Sequence, residues 1–261
     1  MRRGADVLCV GMYRSGSTWQ YNVTCDLLEC AGRGQRAGFI EGDGYQPKRL
    51  NWWGRSRIFK SHDAQQGFAS AIRAGRALAI YCERDLRDVV FSIMHKWSIA
   101  FEEVMASGGR LETCLRNDVF WRSMPHRLIQ RYENIVADPV TSVAEIASFL
   151  GIVLDDGEAE SIAEAHTLEK TMAHIEALRT RLESEGIDLD APENTLRHDP
   201  TTLFHWNHVR TSQKGWRGTA TPSERIALAR ACGDWLIRRG YEADLSWADT
   251  AGDGRLVYPA S

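Results

Sequence analysis

The chain has 261 residues, of which 43% are hydrophobic and 26% charged, with a formal net charge of −3. This composition suits a globular protein of one larger α/β domain or two small ones. The slight acidity argues against a nucleic-acid partner, so any site for a polyanion has to gather its cations locally. No run of about 18 apolar residues is present, so neither a transmembrane helix nor a membrane partner is expected.

The first apolar run, Val7–Val10, starts so soon after Met1 that no signal peptide is expected. The six cysteines, at 9, 25, 30, 82, 114 and 232, contain no C-x-x-C pair, and zinc or redox motifs are unsupported. Cys9 and Cys82 fall in apolar strand-like runs, where a free thiol behaves as a small hydrophobe. A reducing cytoplasm is the simplest setting.

Val7–Val10 reads as a strand. It leads into Gly11-Met12-Tyr13-Arg14-Ser15-Gly16-Ser17-Thr18-Trp19, and a helix is predicted over 17–31. Such a strand, glycine loop and helix start aims backbone N–H groups and the helix dipole at an anion. The spacing Gly-x-x-x-x-Gly-Ser-Thr approaches a P-loop, but Ser17 stands where the lysine belongs, and the nearby cation is Arg14. The loop thus suits a phosphoryl or sulfuryl group rather than an ordinary nucleoside triphosphate. The plainer alternative is a strand-to-helix turn with small residues for close packing.

Further strand-like runs fall at Ile58-Phe59, Ala77–Cys82 and Arg127–Tyr132, with helical patterns at about 64–75, 87–106 and 139–150. Alternation of this kind implies βαβ units and a parallel sheet with both faces covered. Asp138-Pro139 reads as a helix start and Gly151 as its stop. The stretch 157–184 is helical in composition. The stretch 186–205, with Gly186, Pro192 and Pro200, reads as a long loop of the kind that forms a mobile lid or acceptor segment. Thr221-Pro222-Ser223-Glu224 reads as a capping box opening a helix to about Arg239. Without repeats or a linker, residues 1–261 read as a single domain.

Two more segments carry chemistry. Lys60 and His62 stand two apart at a strand end and share a face, so one can hold an anion while the other moves a proton. Alone, the tripeptide Lys60-Ser61-His62 is equally a surface strand end. In Tyr81–Ser92 a strand ends at Arg84 and a helix begins that carries Ser92; the arginine fork and the hydroxyl suit one phosphate. The competing reading is a set of local ion pairs among Arg84, Asp85, Arg87 and Asp88.

Taken together and in this order, these segments resemble the cytosolic-type sulfotransferase family, which uses 3′-phosphoadenosine 5′-phosphosulfate (PAPS) as sulfuryl donor. Arg14-Ser15-Gly16-Ser17-Thr18-Trp19 is similar to the family's 5′-phosphosulfate loop, usually Lys-Ser-Gly-Thr-Thr-Trp. Lys60-Ser61-His62 resembles its Lys-Thr-His, whose histidine is the catalytic base. Arg84 with Ser92 matches the arginine–serine pair for the 3′-phosphate, and Tyr132-Glu133 followed by Pro139 matches a segment whose tyrosine lies near the adenine. The resemblance covers roughly the first 150 residues.

There are departures. Arg14 replaces the commoner lysine, and no proline precedes Arg87. The C-terminal Arg-Lys-Gly-x-x-Gly-Asp-Trp motif is only partly present in 208–218, where Arg210, Lys214 or Gly215 each fit the 3′-phosphate contact. The segments 93–125 and 152–207 carry no resemblance and are where acceptor choice is expected to reside.

The resemblance implies a three-layer α/β fold, P-loop-like, with a parallel sheet flanked by helices. It implies sulfuryl transfer from PAPS to a hydroxyl or amine of a small-molecule acceptor, adenosine 3′,5′-bisphosphate (PAP) being the product. His62 would be the base, and Arg14 and Lys60 would neutralise transferring charge. Ser15, Gly16, Ser17, Thr18, Arg84, Ser92, Tyr132 and the 210–215 segment would bind the donor. Trp19 either stacks on adenine or is a core aromatic. No metal is required, because the donor already carries a good leaving group. A small-molecule P-loop kinase and an inactive nucleotide-binding module are the alternatives. Trp52, Trp53, Trp97, Phe101, Trp121 and Phe204 either line an apolar acceptor pocket or are core. The oligomeric state is open, a homodimer included.

Overall fold

The computed structural model describes residues 4–41, 44–47, 54–207 and 215–248. The chain forms two compact units, Met1–Glu83 with Asn117–Arg210 and Arg84–Arg116 with Thr211–Ser261.

The first unit holds a five-stranded sheet made of β1 (Asp6–Gly11), β2 (Gly34–Phe39), β3 (Ser56–Ser61), β4 (Ala77–Glu83) and β5 (Arg127–Arg131). The order is β2-β3-β1-β4-β5, and every pairing is parallel. β1 is central and buried at all six positions, as a strand covered on both faces should be.

Its side chains alternate between two layers. Val7 and Cys9 join Ile58, Ile80, α1 (Ser17–Cys30), α7 (Pro139–Leu150) and Ala163 of α8 (Glu158–Ala165) in one apolar cluster. On the other side of the alternation, Phe59 of β3 meets Tyr45, which packs on Phe68 of α2 (Gln66–Arg73), and Phe68 in turn meets Trp121. This is the three-layer α/β architecture expected from the alternating pattern.

The predicted punctuation is present. Asp138 caps α7 by accepting from the Thr141 N–H at 3.0 Å, and Gly151 closes that helix at φ 59°. Thr221 and Glu224 complete both halves of the capping box of α11 (Pro222–Arg238).

Several elements differ from expectation. β2 was not foreseen, nor were α5 (Arg110–Ser123), α6 (Tyr132–Ala137) and the short α10 (Trp216–Thr219). The single helix predicted over 87–106 is two, α3 (Leu86–Trp97) and α4 (Phe101–Met105), because Ser98 turns left-handed at φ 51°. The apolar pattern runs on across the break because half-buried Phe91 stacks on buried Phe101, their centroids 6.2 Å apart. The 157–184 stretch likewise divides into α8 and α9 (Leu168–Ser184), with Thr167 capping the second. Residues 186–205 are mostly irregular, with a 3-10 turn at Pro192–Asn194 and a bridge between His198 and His205. No helix among the described residues is long and apolar enough to cross a membrane.

Candidate functional site

In the first unit the loop between β1 and α1 is shaped by backbone conformation. Arg14 is left-handed at φ 60° and Gly16 at φ 87°. A non-glycine residue in that region is uncommon and costs energy, which places the strain at the residue that supplies the cation. Gly16 is doubly constrained, since a Cβ there would lie 3.0 Å from Cδ2 of Tyr132. Tyr132, the first residue of α6, therefore closes over the loop. A Cβ at Gly11 would meet Ser15 Oγ and the Cys82 carbonyl at 2.8 and 2.9 Å, so this turn packs tightly against the end of β4. Ser15 Oγ donates to the Met12 carbonyl at 2.8 Å.

Gly16 caps α1 without a side-chain hydrogen bond, and the first turn holds no acidic residue. The N-terminal N–H groups and the dipole of this 14-residue helix are thus presented without a competing carboxylate. Ser17 and Thr18 are buried in that turn. Trp19 is half-buried and packs against the main apolar cluster.

β3 lies beside β1, with Val10 opposite Ser61, so His62 falls next to Gly11. His62 Nδ1 lies 2.9 Å from the Gly11 carbonyl oxygen. A carbonyl can only accept, so Nδ1 carries the proton and Nε2 is left with a lone pair. That lone pair faces Lys60 Nζ at 3.2 Å. Lys60 and His62 do share a face, as their spacing predicts.

The electrostatics follow from burial among cations. Burial, then the charges of Lys60, Arg14 and His205, lowers the His62 pKa to about 3, against the opposing Gly11 hydrogen bond. Burial, with Arg14 adding to it, pulls Lys60 down to about 8. At neutral pH the histidine is uncharged, with the Nε2 lone pair unprotonated, while the lysine is still mostly charged.

Four residues here escaped the sequence reading. The rings of Tyr13 and Phe39 flank His62, with centroids 5.0 and 6.0 Å away. Lys60 Nζ sits over the Phe39 ring at 5.0 Å. Asn117 Nδ2 donates to the His62 carbonyl at 2.6 Å, fixing its backbone. His205, near enough for its charge to bear on His62, comes from the end of the 186–205 stretch, its ring tilted against that of His198 with centroids 5.3 Å apart. Phe39, Asn117 and His205 arrive through long-range packing; Tyr13 sits in the glycine loop and His205 in the 186–205 stretch, both already singled out, and their positions were the signal.

In the second unit Arg84 is half-buried and Ser92 buried on α3. The ion pairs at this helix start are carried by Arg87, which holds Asp85 at 2.6 Å and Glu242 at 2.6 Å. Gly215 precedes α10, whose Trp216 N–H donates to Asp88 Oδ1 at 2.9 Å. Arg210, Lys214, Trp52 and Trp53 lie outside the described residues. Of the remaining aromatics proposed for a pocket, Trp121 is core against Phe68 and Phe120. Phe101 and Phe204 are buried, and Trp97 lies under the Arg110 guanidinium.

A parallel α/β sheet whose central strand opens into a glycine loop, with a lysine and a histidine at the adjacent strand end, gathers these groups beyond the carboxyl ends of the strands, where sheets of this class hold their ligands. The chain belongs to the sulfotransferase-domain family, whose model matches residues 4–190. It is a sulfotransferase. Over 237 residues, 80% of this chain and 80% of the relative, it is 28% identical to sulfotransferase 2A2 of Rattus norvegicus. Over 139 residues, 47% of this chain and 49% of the relative, it is 30% identical to sulfotransferase 4A1 of Mus musculus.

Among solved structures it shares its fold with mouse sulfotransferase SULT7A1 complexed with PAP. The TM-score is 0.58 at 17% identity, over 94% of this chain and 88% of that one. It also shares it with retinol dehydratase in a complex with retinol and PAP, at TM-score 0.60 and 18% identity, over 98% and 84%.

Proposed function

We propose that this enzyme transfers a sulfuryl group from PAPS to a hydroxyl or amine of a small-molecule acceptor, with His62 as the base. The observation that carries the reading is the tautomer of His62. Its Nδ1–H is held by the Gly11 carbonyl, and its Nε2 lone pair faces Lys60 beside the glycine loop.

The residues present fit the donor. The uncapped N-terminus of α1, buried Ser17 and Thr18, and Arg14 would hold the 5′ end. Arg84, Ser92 and Gly215, with Arg210 and Lys214, would hold the 3′-phosphate, and Tyr132 with the exposed part of Trp19 the adenine. When bound, PAPS supplies a sulfuryl group on a good leaving group. His62 Nε2 then takes the proton of the attacking hydroxyl or amine as the new bond to sulfur forms and the bond to the bridging phosphate oxygen breaks. Lys60 and Arg14 neutralise charge on the oxygens that become more negative. The rings of Tyr13 and Phe39 offer an acceptor an apolar wall against the base. Residues 186–205, which bring His205 toward His62, form the acceptor-side segment of one sulfotransferase domain. Retinol and androsterone, small apolar alcohols, are bound by retinol dehydratase and illustrate the kind of acceptor proposed.

The test is ligand-induced stabilisation. PAP should raise the melting temperature well above the shift given by AMP. A ligand at about 100 times its dissociation constant adds roughly 2.7 kcal/mol. The gap should shrink in Arg84→Ala, which deletes a charge-assisted contact worth about 1.5–3 kcal/mol. Equal shifts with PAP and AMP in the wild type overturn the 3′-phosphate assignment.

The pKa directions give a second expectation. The profile of kcat/KM for the donor reports the free enzyme. It should be flat from about pH 5 to 7, because His62 is already neutral, and fall above about pH 8 as Lys60 loses its proton. In Lys60→Arg the alkaline limb should disappear, since a guanidinium stays charged. A limb unmoved by that change belongs to another group.

A further inference from the structure

The second unit contains an arginine–tryptophan stack that no step above uses. Arg87 is 1% exposed, and its guanidinium lies 4.0 Å from the Trp216 ring centroid and 4.4 Å from that of Trp247. The fork binds Asp85 through Nε and Nη2, at 2.9 and 2.6 Å, and Nη1 reaches Glu242 at 2.6 Å. Arg217 covers Trp216 as well, at 4.5 Å. Trp216 is thus clamped between cations and a second indole, and is itself 3% exposed.

Next to this clamp the Trp216 N–H donates to Asp88 Oδ1 at 2.9 Å. The Gly215 backbone lies over the same carboxylate, a Cβ there falling 3.6 Å from Oδ1. Asp88 and Ser92 are four apart on α3 and lie one above the other on a single face. The carboxylate therefore holds the Gly215–Trp216 backbone against α3 at position 88, and Ser92 follows about one helical turn further along the same face.

We infer that Asp88 is a positioning residue for 3′-phosphate recognition: by accepting the Trp216 N–H, with Trp216 clamped by Arg87, it sets the Gly215 backbone against the face of α3 that carries Ser92. The inference rests on the PAPS reading above and concerns how its 3′ contacts are assembled. An aspartate so close to an expected phosphate is unfavourable as a charge, so its presence calls for a task of its own. Holding a backbone N–H in register is that task, and an amide oxygen of the same reach performs it equally well.

The experiment measures dissociation constants of PAP and AMP by calorimetry for wild type, Asp88→Ala, Asp88→Asn and Asp88→Glu. Each variant's ligand-free melting temperature is recorded alongside. Loss of the anchor in Asp88→Ala should weaken PAP by about tenfold, the usual scale for one charge-assisted hydrogen bond, while AMP changes little. Asp88→Asn should restore the wild-type preference for PAP. Asp88→Glu, which keeps the charge but moves the acceptor atom, should lose it; this variant decides the matter if Asp88→Ala does not fold. An unchanged preference in Asp88→Ala and Asp88→Glu overturns the inference. So does equal weakening of both ligands, or an Asp88→Asn that behaves like Asp88→Ala. A wild type with no preference for PAP overturns instead the reading on which it rests, so the two failures are distinct.

Discussion

Replacing His62 with alanine is expected to lower turnover by about 10²–10⁴-fold while PAP binding stays within a few-fold of wild type. The size follows from the role of a general base, which acts on the reacting proton and not on the nucleotide. The geometry makes the outcome specific to one atom: Nδ1 is committed to the Gly11 carbonyl, so only Nε2 is left to take a proton. Single-turnover rates with PAPS and a phenolic or steroidal alcohol, compared with PAP affinity by calorimetry, separate the two effects. Activity surviving within a few-fold means that another group removes the proton or that the acceptor reacts without a base.

Removing the cation at position 14 should cost nearly as much. Arg14→Ala is expected to lose about 10²–10³-fold in kcat and much less in PAP affinity, because a charge aimed at developing negative charge acts mainly on the transition state. Its field already reaches both Lys60 and His62, lowering the pKa of each, so it lies where the chemistry is expected. Arg14→Lys should keep substantial activity. The left-handed backbone at 14 is shared by all these side chains, so the lysine variant isolates charge from strain. Lost nucleotide affinity with unchanged kcat at saturation contradicts this role.

The residues that were legible in the sequence share a physical reason. β1, β3 and β4 announce themselves as apolar runs because a central parallel strand is buried on both faces. The Lys60–His62 pair follows from the period of two, and the loop from its glycines and the helix behind it. β2 stayed hidden because Gly34-Gln35-Arg36-Ala37-Gly38-Phe39 has neither alternation nor β-branched residues. It is an edge strand held by tertiary context. Gly34 is required since a Cβ would lie 2.5 Å from that of Leu28, and Arg36 is drawn onto Asp26 and Asn22 of α1.

Phe39, at the end of that strand, was hidden with it. α5 was obscured by its charges, one of which is buried in an ion pair: Asp118 is fully buried beneath Arg122, and Arg122 also reaches Glu83 of β4. Asn117 and His205 reach the histidine across 55 and more than 140 positions of sequence, a separation that no local pattern encodes.

The hydrogen bond between His62 Nδ1 and the Gly11 carbonyl lies in line with the ladder joining β1 and β3. The His62 ring is therefore oriented by the same cooperative array that resists unfolding. Its orientation is thus tied to the stability of the sheet. A slip of one residue between these two strands would turn the ring to the opposite face and disarm it at a stroke. With His62 as the proposed base, the proton's destination would then be set by the sheet, whichever alcohol or amine the acceptor side admits.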